Sequence, residues 1–285
     1  PCYTASKNLC ALGGMIGNNA AGEKTLHYGK MEDYVEELSV ILNDGSEHVF
    51  KAITRAEAVK KSHEQGKEGE IYQYLMALID KNRELISKEK PKVSKNSSGY
   101  YLWNVERSGM FDVCKLLVGS QGTLGIVTKA KIKLVPVKQK SKLLVVFLNE
   151  LDELGEIINI MAKRNPESIE SYDDATIKLA VHFAPEMMKI MKAGFLKLMF
   201  SFLPEAWMVL TGGLPKLILL VEFVADDEAS VAREVQALNE ELKRFKLKTY
   251  VTKSQSDEEK YWTIRRESFN LLRKHIKGKR TAPFI

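Results

Sequence analysis

Cysteine and histidine are scarce, at three and five among 285 residues. Cys2, Cys10 and Cys114 match no zinc or iron–sulfur spacing, and an odd count argues against a disulfide framework. A reducing compartment, the cytoplasm, is expected. His27, His48, His63, His182 and His275 include no HxxxH pair, so no metal site is expected within these residues. A basic arm is also lacking. The net charge of +6 is spread along the chain, and lysine groups such as "VPVKQKSK" read as solvated faces, so nucleic acid is not an expected partner. Neither a start methionine nor a signal peptide is seen, and the last residues follow directly on a helix-like segment. Both ends are therefore expected to be cuts in a longer polypeptide.

Small residues are plentiful in one place, "GGMIGNNAAGEKTLHYGK" at 13–30. A packed core does not need so many in a row, whereas a backbone lying flush against a ligand does. Three cradles compete. A Rossmann loop requires GxGxxG, which Gly13, Gly14, Gly17 and Gly22 do not form. A Walker A loop requires GxxxxGK[ST]; "GNNAAGEKT" has the glycine spacing, but Glu23 occupies the lysine position and would repel phosphate. The third is a non-Rossmann flavin cradle, in which backbone N–H groups of a Gly/Ala/Asn turn bind a pyrophosphate without a helix start.

The rest of the chain reads as two domains, 1–137 and 138–285. In the first, "YVEELSVILNDGSEHVF" is a hairpin around Asp44-Gly45. "EGEIYQYLMALIDKNRELISKEKP" is one helix stopped before Pro91. "CKLLVGSQGTLGIVTKAKIKLVPV" is a strand, a glycine loop and a long strand alternating at Val127, Ala130, Ile132 and Leu134. In the second, "KLLVVFL", a helical stripe from Leu151 to Met161 and "ESIESYD" form one β-α-β unit. "LILLVEFV", a stripe from Val231 to Phe245 and "LKTYVTK" form another. Two such units imply an α+β domain with helices on one face of an antiparallel sheet.

"LCALGGMIGNNAAGEKTLHYGKMEDYVEELSVILNDG", followed by "NSSGYYLW" and "LLVGSQGTLGIVTKAKIKL", resembles the later flavin-contacting segments of the FAD-linked oxidases in the vanillyl-alcohol oxidase / p-cresol methylhydroxylase superfamily. Within it the likeness is to the D-2-hydroxyacid dehydrogenases: D-lactate dehydrogenase, the glycolate oxidase flavin subunit and D-2-hydroxyglutarate dehydrogenase. The resemblance implies a PCMH-type FAD-binding lobe followed by an antiparallel-sheet α+β substrate (cap) domain. It implies FAD as cofactor, lined by Ala5, Ser6, Lys7, Asn8, Cys10, Ala11, Gly13, Gly14, Ile16, Asn18, Asn19, Ala20, Ala21, Gly22 and Tyr28. From the second segment come Gln121, Gly122, Thr123, Leu124, Gly125, Ile126 and Val127. The family's first FAD loop and its HxxGDxNxH segment are not seen, so no catalytic base can be named within these residues.

The resemblance also implies oxidation of a D-2-hydroxy acid by hydride transfer to the flavin, with an arginine holding the substrate carboxylate. "SQSDEEKYWTIRRESFNLLRKHIKGK" supplies the candidate. Ser256 and Glu259 suggest a capping box, and Trp262, Arg265, Phe269, Leu272 and Ile276 share one face. An arginine in that stripe must find a partner or incur a desolvation penalty: it meets the substrate in an interdomain cleft, pairs with a structural glutamate or snorkels to solvent; Arg266 is the alternative. Rival readings are an alkyl-glycerone-phosphate synthase-like FAD enzyme and a non-catalytic FAD-binding electron-transfer subunit. The electron acceptor is a quinone, a cytochrome or an iron–sulfur partner. The Met- and Phe-rich segment 187–210 is too polar and interrupted to span a bilayer. As a helix it places Lys189, Lys192 and Lys197 within about 140° of one another. Its apolar face either packs on protein or lies in the membrane interface on the cytoplasmic side, with Trp207 at headgroup depth.

Overall fold

The computed structural model describes residues 2, 4, 10–93, 96, 98–183 and 213–275, with side chains as far as 267 in the last stretch. Segment 187–210 and its lysines lie outside the described residues. The chain divides into two compact units, 1–136 and 137–285.

The first unit begins with two short helices, α1 (Leu12–Gly17) and α2 (Thr25–Tyr28). Strand β1 (Val35–Ile41) is the centre of an antiparallel sheet, between β2 (Glu47–Lys51) and a later strand. The hairpin between β1 and β2 turns as its Asp-Gly pair dictates. The Asp44 carboxylate accepts the Ser46 N–H at 3.0 Å, and Gly45 takes φ +82°, the left-handed region that glycine enters freely. After β3 (Ile53–Thr54), Thr54 and Glu57 cap α3 (Arg55–Ser62) reciprocally, a signal the sequence carries as T-x-x-E. Helix α4 (Lys67–Lys81) buries Tyr72, Leu75, Met76 and Ile79, one helical face. The single helix expected up to Pro91 is two: Asn82 ends α4 by donating its side-chain amide to the Leu78 carbonyl at 2.8 Å, and α5 (Arg83–Glu89) follows. Then come α6 (Leu102–Val105), β4 (Glu106–Arg107), β5 (Met110–Phe111), α7 (Cys114–Leu117) and β6 (Ile126–Ile132), the third strand of the β1 sheet.

Two expectations for this unit fail on local periodicity. "CKLLV" is helix α7, not a strand. Val113, Cys114, Leu117 and Val118 are all buried, a spacing of three and four rather than two. The alternation expected through β6 is interrupted by shifts in register against β1, and Leu134 is exposed. Burial pushes the Cys2 thiol up to about 11 and Cys114 higher still, so neither is a ready nucleophile.

The second unit is built on a four-stranded antiparallel sheet of β7 (Lys140–Leu148), β8 (Ser168–Asp173), β9 (Leu217–Ala225) and β10 (Lys248–Val251), in the order β10-β7-β9-β8. Helix α8 (Leu154–Lys163) joins β7 to β8. Helix α9 (Asp174–His182) follows β8, α10 (Glu228–Leu242) joins β9 to β10, and α11 (Gln255–His275) comes last. The α+β class holds, but helices cover both faces of the sheet rather than one. Leu144, Val146, Leu148, Leu219, Val221 and Phe223 pack with α8 and α10. The intervening Leu143, Val145, Phe147, Ile218 and Leu220 pack with Tyr172, Ile177, Tyr261, Trp262 and Ile264. Unbroken runs such as "LLVVFL" and "LILLV" are the signature of strands buried on both faces, and that signal outranks the β-α-β count. Among the described residues, no helix is long and apolar enough to cross a membrane.

Two outcomes follow from this packing. A Cβ on Gly125 would stand 2.5 Å from Val40 Cγ1 and 2.9 Å from the Ile41 carbonyl oxygen. Gly125→Ala is therefore expected to destabilise by about 1–3 kcal/mol in urea unfolding; an unchanged midpoint would contradict the β1–β6 packing. Glu258, in the first turn of α11, is buried and accepts from Ser141 Oγ at 2.8 Å and Thr252 Oγ1 at 3.4 Å. Its burial raises its carboxyl above the usual range. The folded state thus binds that proton more tightly than the unfolded state does. The resulting stabilisation is complete below the unfolded value of about 4.3 and is lost as pH rises through the raised folded one. Glu258→Gln removes this titration, so its stability relative to wild type is expected to climb as pH rises above about 4.3; parallel curves would contradict it.

Candidate functional site

The two glycine-rich segments named from the sequence are hydrogen-bonded to one another. The Gly119 N–H donates to the Ile16 carbonyl at 3.0 Å, and the Gln121 N–H to the Gly17 carbonyl at 2.8 Å. Residues a hundred positions apart in the chain thereby form one surface. The first segment is not the continuous turn expected: 12–17 is the helix α1, entered from an extended Ala11. A turn at 18–22 follows, in which Asn19 adopts φ +46°, tolerable for Asn. In the second segment Gln121 and Gly122 are both left-handed, at φ +53° and +78°. For a glutamine that conformation stores about 1 kcal/mol or more of strain. Tyr100, within "NSSGYYLW", meets Thr123 Oγ1 at 2.8 Å through its hydroxyl. No spacing rule pointed to this contact with the second segment.

The candidate cofactor residues separate by orientation. Ala5, Ser6, Lys7 and Asn8 lie outside the described residues. Ile16 and Ala20 are buried, and their carbonyls accept from Gly119 and Met31. Leu124, Val127 and Tyr28 pack against the core of this unit, and Gly125 is required by the β1–β6 contact. Cys10, Ala21 and Gly22 are half-buried, with the Gly22 N–H donating to Thr25 Oγ1 at 2.6 Å. Ala11, Gly13, Gly14, Asn18, Gln121, Gly122, Thr123 and Ile126 are exposed.

The fold itself does not call for Gly13 and Gly14. Among the described residues a Cβ on either would meet nothing within 4 Å, and each helical glycine costs about 1 kcal/mol relative to alanine. Glycines that packing among the described residues does not require fit a ligand lying along the backbone. In the turn that follows, Asn19 is buried, with its Oδ1 accepting the Glu32 N–H at 2.9 Å and its Nδ2 without a partner among the described residues. Glu32, also buried, meets Lys30 at 2.7 Å and Asn104 at 3.1 Å. Lys30 in turn lies 4.7 Å from the centre of the Tyr101 ring. Small outward residues, a strained exposed turn and buried polar side chains suit a flat, extended nucleotide cofactor held mainly by backbone.

The second unit carries the other candidates. Helix α11 starts at Gln255, and the N–H of Asp257 is met by Ser254 Oγ at 3.3 Å. Ser254, not Ser256, is the capping hydroxyl. Trp262 is buried on the sheet, and the Arg266 guanidinium lies 5.0 Å from the centre of its ring. Arg265 has found a partner in Glu170 of β8, with Nη2 at 2.9 Å and Nε at 3.1 Å from the same carboxylate oxygen. Among the described residues no group of three or more His, Cys, Asp or Glu could hold a metal.

Comparisons with known proteins give this geometry its family. The model of the FAD linked oxidases, C-terminal domain, matches 137–285, and the FAD binding domain model matches 1–51. The D-2-hydroxyglutarate dehydrogenase of Pseudomonas putida is 29% identical over 99% of this chain and 27% of its own length. That of Pantoea ananatis is 29% identical over 62% of this chain and 17% of its own length. Glycolate oxidase subunit GlcD of Bacillus subtilis is 27% identical over 65% of this chain and 29% of its own length. The chain thus spans under a third of the length of these curated relatives. An alkyldihydroxyacetonephosphate synthase structure shares the fold, with a TM-score of 0.55 at 14% identity over 95% of this chain and 38% of its own. FAD is the cofactor both matched models describe, and the chain belongs to the FAD-linked oxidases.

Proposed function

We propose that this chain is part of an FAD-dependent oxidoreductase that oxidises a D-2-hydroxy acid of the lactate, glycolate or 2-hydroxyglutarate class. The observation that carries the reading is the hydrogen-bonded pair of glycine-rich segments, with open glycines on its surface, in a chain of this family. The printed activities of the relatives supply the substrate class. When bound, FAD supplies a hydride acceptor. The exposed Ala11, Gly13, Gly14, Asn18, Gln121, Gly122 and Thr123 would hold it, leaving room for backbone contact. The second unit is proposed as the substrate domain. There Arg265 would bind the carboxylate of the hydroxy acid, a task suited to a guanidinium fork, and so fix the direction in which the α-C–H bond points. As the α-hydrogen departs with its electron pair, the hydroxyl proton is lost to a base outside the residues named here, giving a 2-oxo acid. The electrons pass on to a quinone, a cytochrome or an iron–sulfur partner.

Anaerobic addition of D-2-hydroxy acids to the flavin-loaded, full-length protein tests the reading. Bleaching of the flavin by a D-isomer and not by its L-isomer is expected; a flavin left oxidised by lactate, glycolate and 2-hydroxyglutarate would overturn it. Replacing Gly13 and Gly14 together by Ala is expected to move two properties in opposite directions. Without cofactor the chain gains about 1–2 kcal/mol, since both positions are helical and open. FAD binding, followed by fluorescence quenching, weakens about tenfold or more as the added methyl groups hold the cofactor off. Equal FAD affinity would remove α1 from the site. Arg265→Lys is expected to raise KM for the hydroxy acid more than about tenfold by loss of the fork, and unchanged kinetics would remove Arg265.

A further inference from the structure

Arg265 and Glu170 occupy positions where apolar residues would serve the fold better. Arg265 follows Tyr261 and Trp262 by four and three residues, so it lies on the side of α11 that those two buried rings press against the sheet. Glu170 stands on β8 between Ser168 and Tyr172, on the same face, paired in register with Leu220 of the α11-facing core. Two apolar side chains buried here would each contribute about 1.5–3 kcal/mol. The ion pair that stands there instead is 38% exposed on the arginine and 17% on the glutamate. A pair that open to water contributes about 0–1 kcal/mol. Stability therefore does not account for it.

The geometry of the pair is specific. Both Nε and Nη2 converge on one oxygen of Glu170, at 3.1 and 2.9 Å, which fixes the plane of the guanidinium as well as its place. The base of the arginine is equally fixed. In the first two turns of α11, Lys260 is buried against Asp257 at 3.0 Å, with the Tyr250 and Tyr261 rings around it. Glu258 is tied to Ser141 and Thr252 of the sheet. Glu222, on the same sheet face, is engaged by Ser168 Oγ at 3.1 Å. Arg266 is turned onto Trp262. Glu170 meets Arg265 from the neighbouring strand, through two of its nitrogens.

We propose that Glu170 is the positioning residue for Arg265, setting the guanidinium in the orientation in which it meets the carboxylate of the 2-hydroxy acid. This rests on the dehydrogenase reading above. It predicts that Glu170 acts on substrate only through Arg265.

The test uses the full-length, flavin-loaded protein and the variants Glu170→Gln, Arg265→Lys and the double replacement. Two quantities are read: steady-state kinetics with D-lactate, glycolate and D-2-hydroxyglutarate, and equilibrium binding of the matching 2-oxo acids, seen as a perturbation of the flavin spectrum. Glu170→Gln is expected to raise KM and the 2-oxo acid Kd about tenfold, with kcat changed far less. In the Arg265→Lys background the same change is expected to add nothing, because the two act as one unit. Glu170→Asp keeps the charge but not the reach; it is expected to weaken binding as well, and it replaces the neutral variant if that one does not fold. Binding equal to wild type in both Glu170 variants, or losses that add in the double variant, would overturn the assignment. A wild-type flavin that none of the three acids reduces would instead overturn the dehydrogenase reading, and Glu170's role with it.

Discussion

Two backbone hydrogen bonds, from Gly119 to Ile16 and from Gln121 to Gly17, are the constraint on which the first unit's surface depends. They join a short helix near the start of the chain to a turn about a hundred residues later, and everything between must be arranged to let them form. Strand β1 carries the chain away from the first segment, and β6 returns beside it from the second. Gly125 is the point where β6 passes so close to Val40 and Ile41 that no side chain fits. Gly119 is similarly placed: at φ +85°, a Cβ there would stand 3.2 Å from that of Asn19. The conformational strain at Gln121 is the local expense of this closure, and backbone pairing and core burial on either side sustain it.

In the second unit the governing fact is a sheet with no exposed face. Strands β7 and β9 contribute alternate residues to two separate cores. One core, with α8 and α10, is apolar: aliphatic side chains, Met161 and Phe223. The other is where the polar chemistry lies. Aromatic residues of α11 pack there beside a buried lysine, a buried glutamate and the Arg265–Glu170 pair. Keeping charged groups on one face while the other stays dry lets the fold bear the loss in stability, since a domain's margin is only about 5–15 kcal/mol.

Much of this was legible in the residues. The Asp44-Gly45 hairpin, the α10 stripe of Val231, Val235, Leu238 and Leu242, and the strand "LILLVEFV" follow from turn chemistry and periodicity, which are local. Helices α1 and α7 were not legible, because six and four residues are too few for a period to register, and glycine pairs look like turns. The second helical layer on the α11 side was written in the unbroken apolar runs but overridden by counting β-α-β units. In the candidate site, the glycine segments could be found by composition. Their contact could not, and neither could Glu170, which lies 95 residues before Arg265. Sequence spacing identifies an arginine in need of a partner but not which of the many acidic residues a sheet will bring to it.

The central claim is that one surface, built from 11–22 and 119–126, holds FAD. Hydrogen–deuterium exchange on the protein with and without FAD tests it most directly, because it reads backbone amides one segment at a time. The account predicts that FAD slows exchange in both segments together and leaves α10 and β10 unchanged. Protection confined to other segments, with 11–22 and 119–126 exchanging as fast as in the cofactor-free protein, would contradict it.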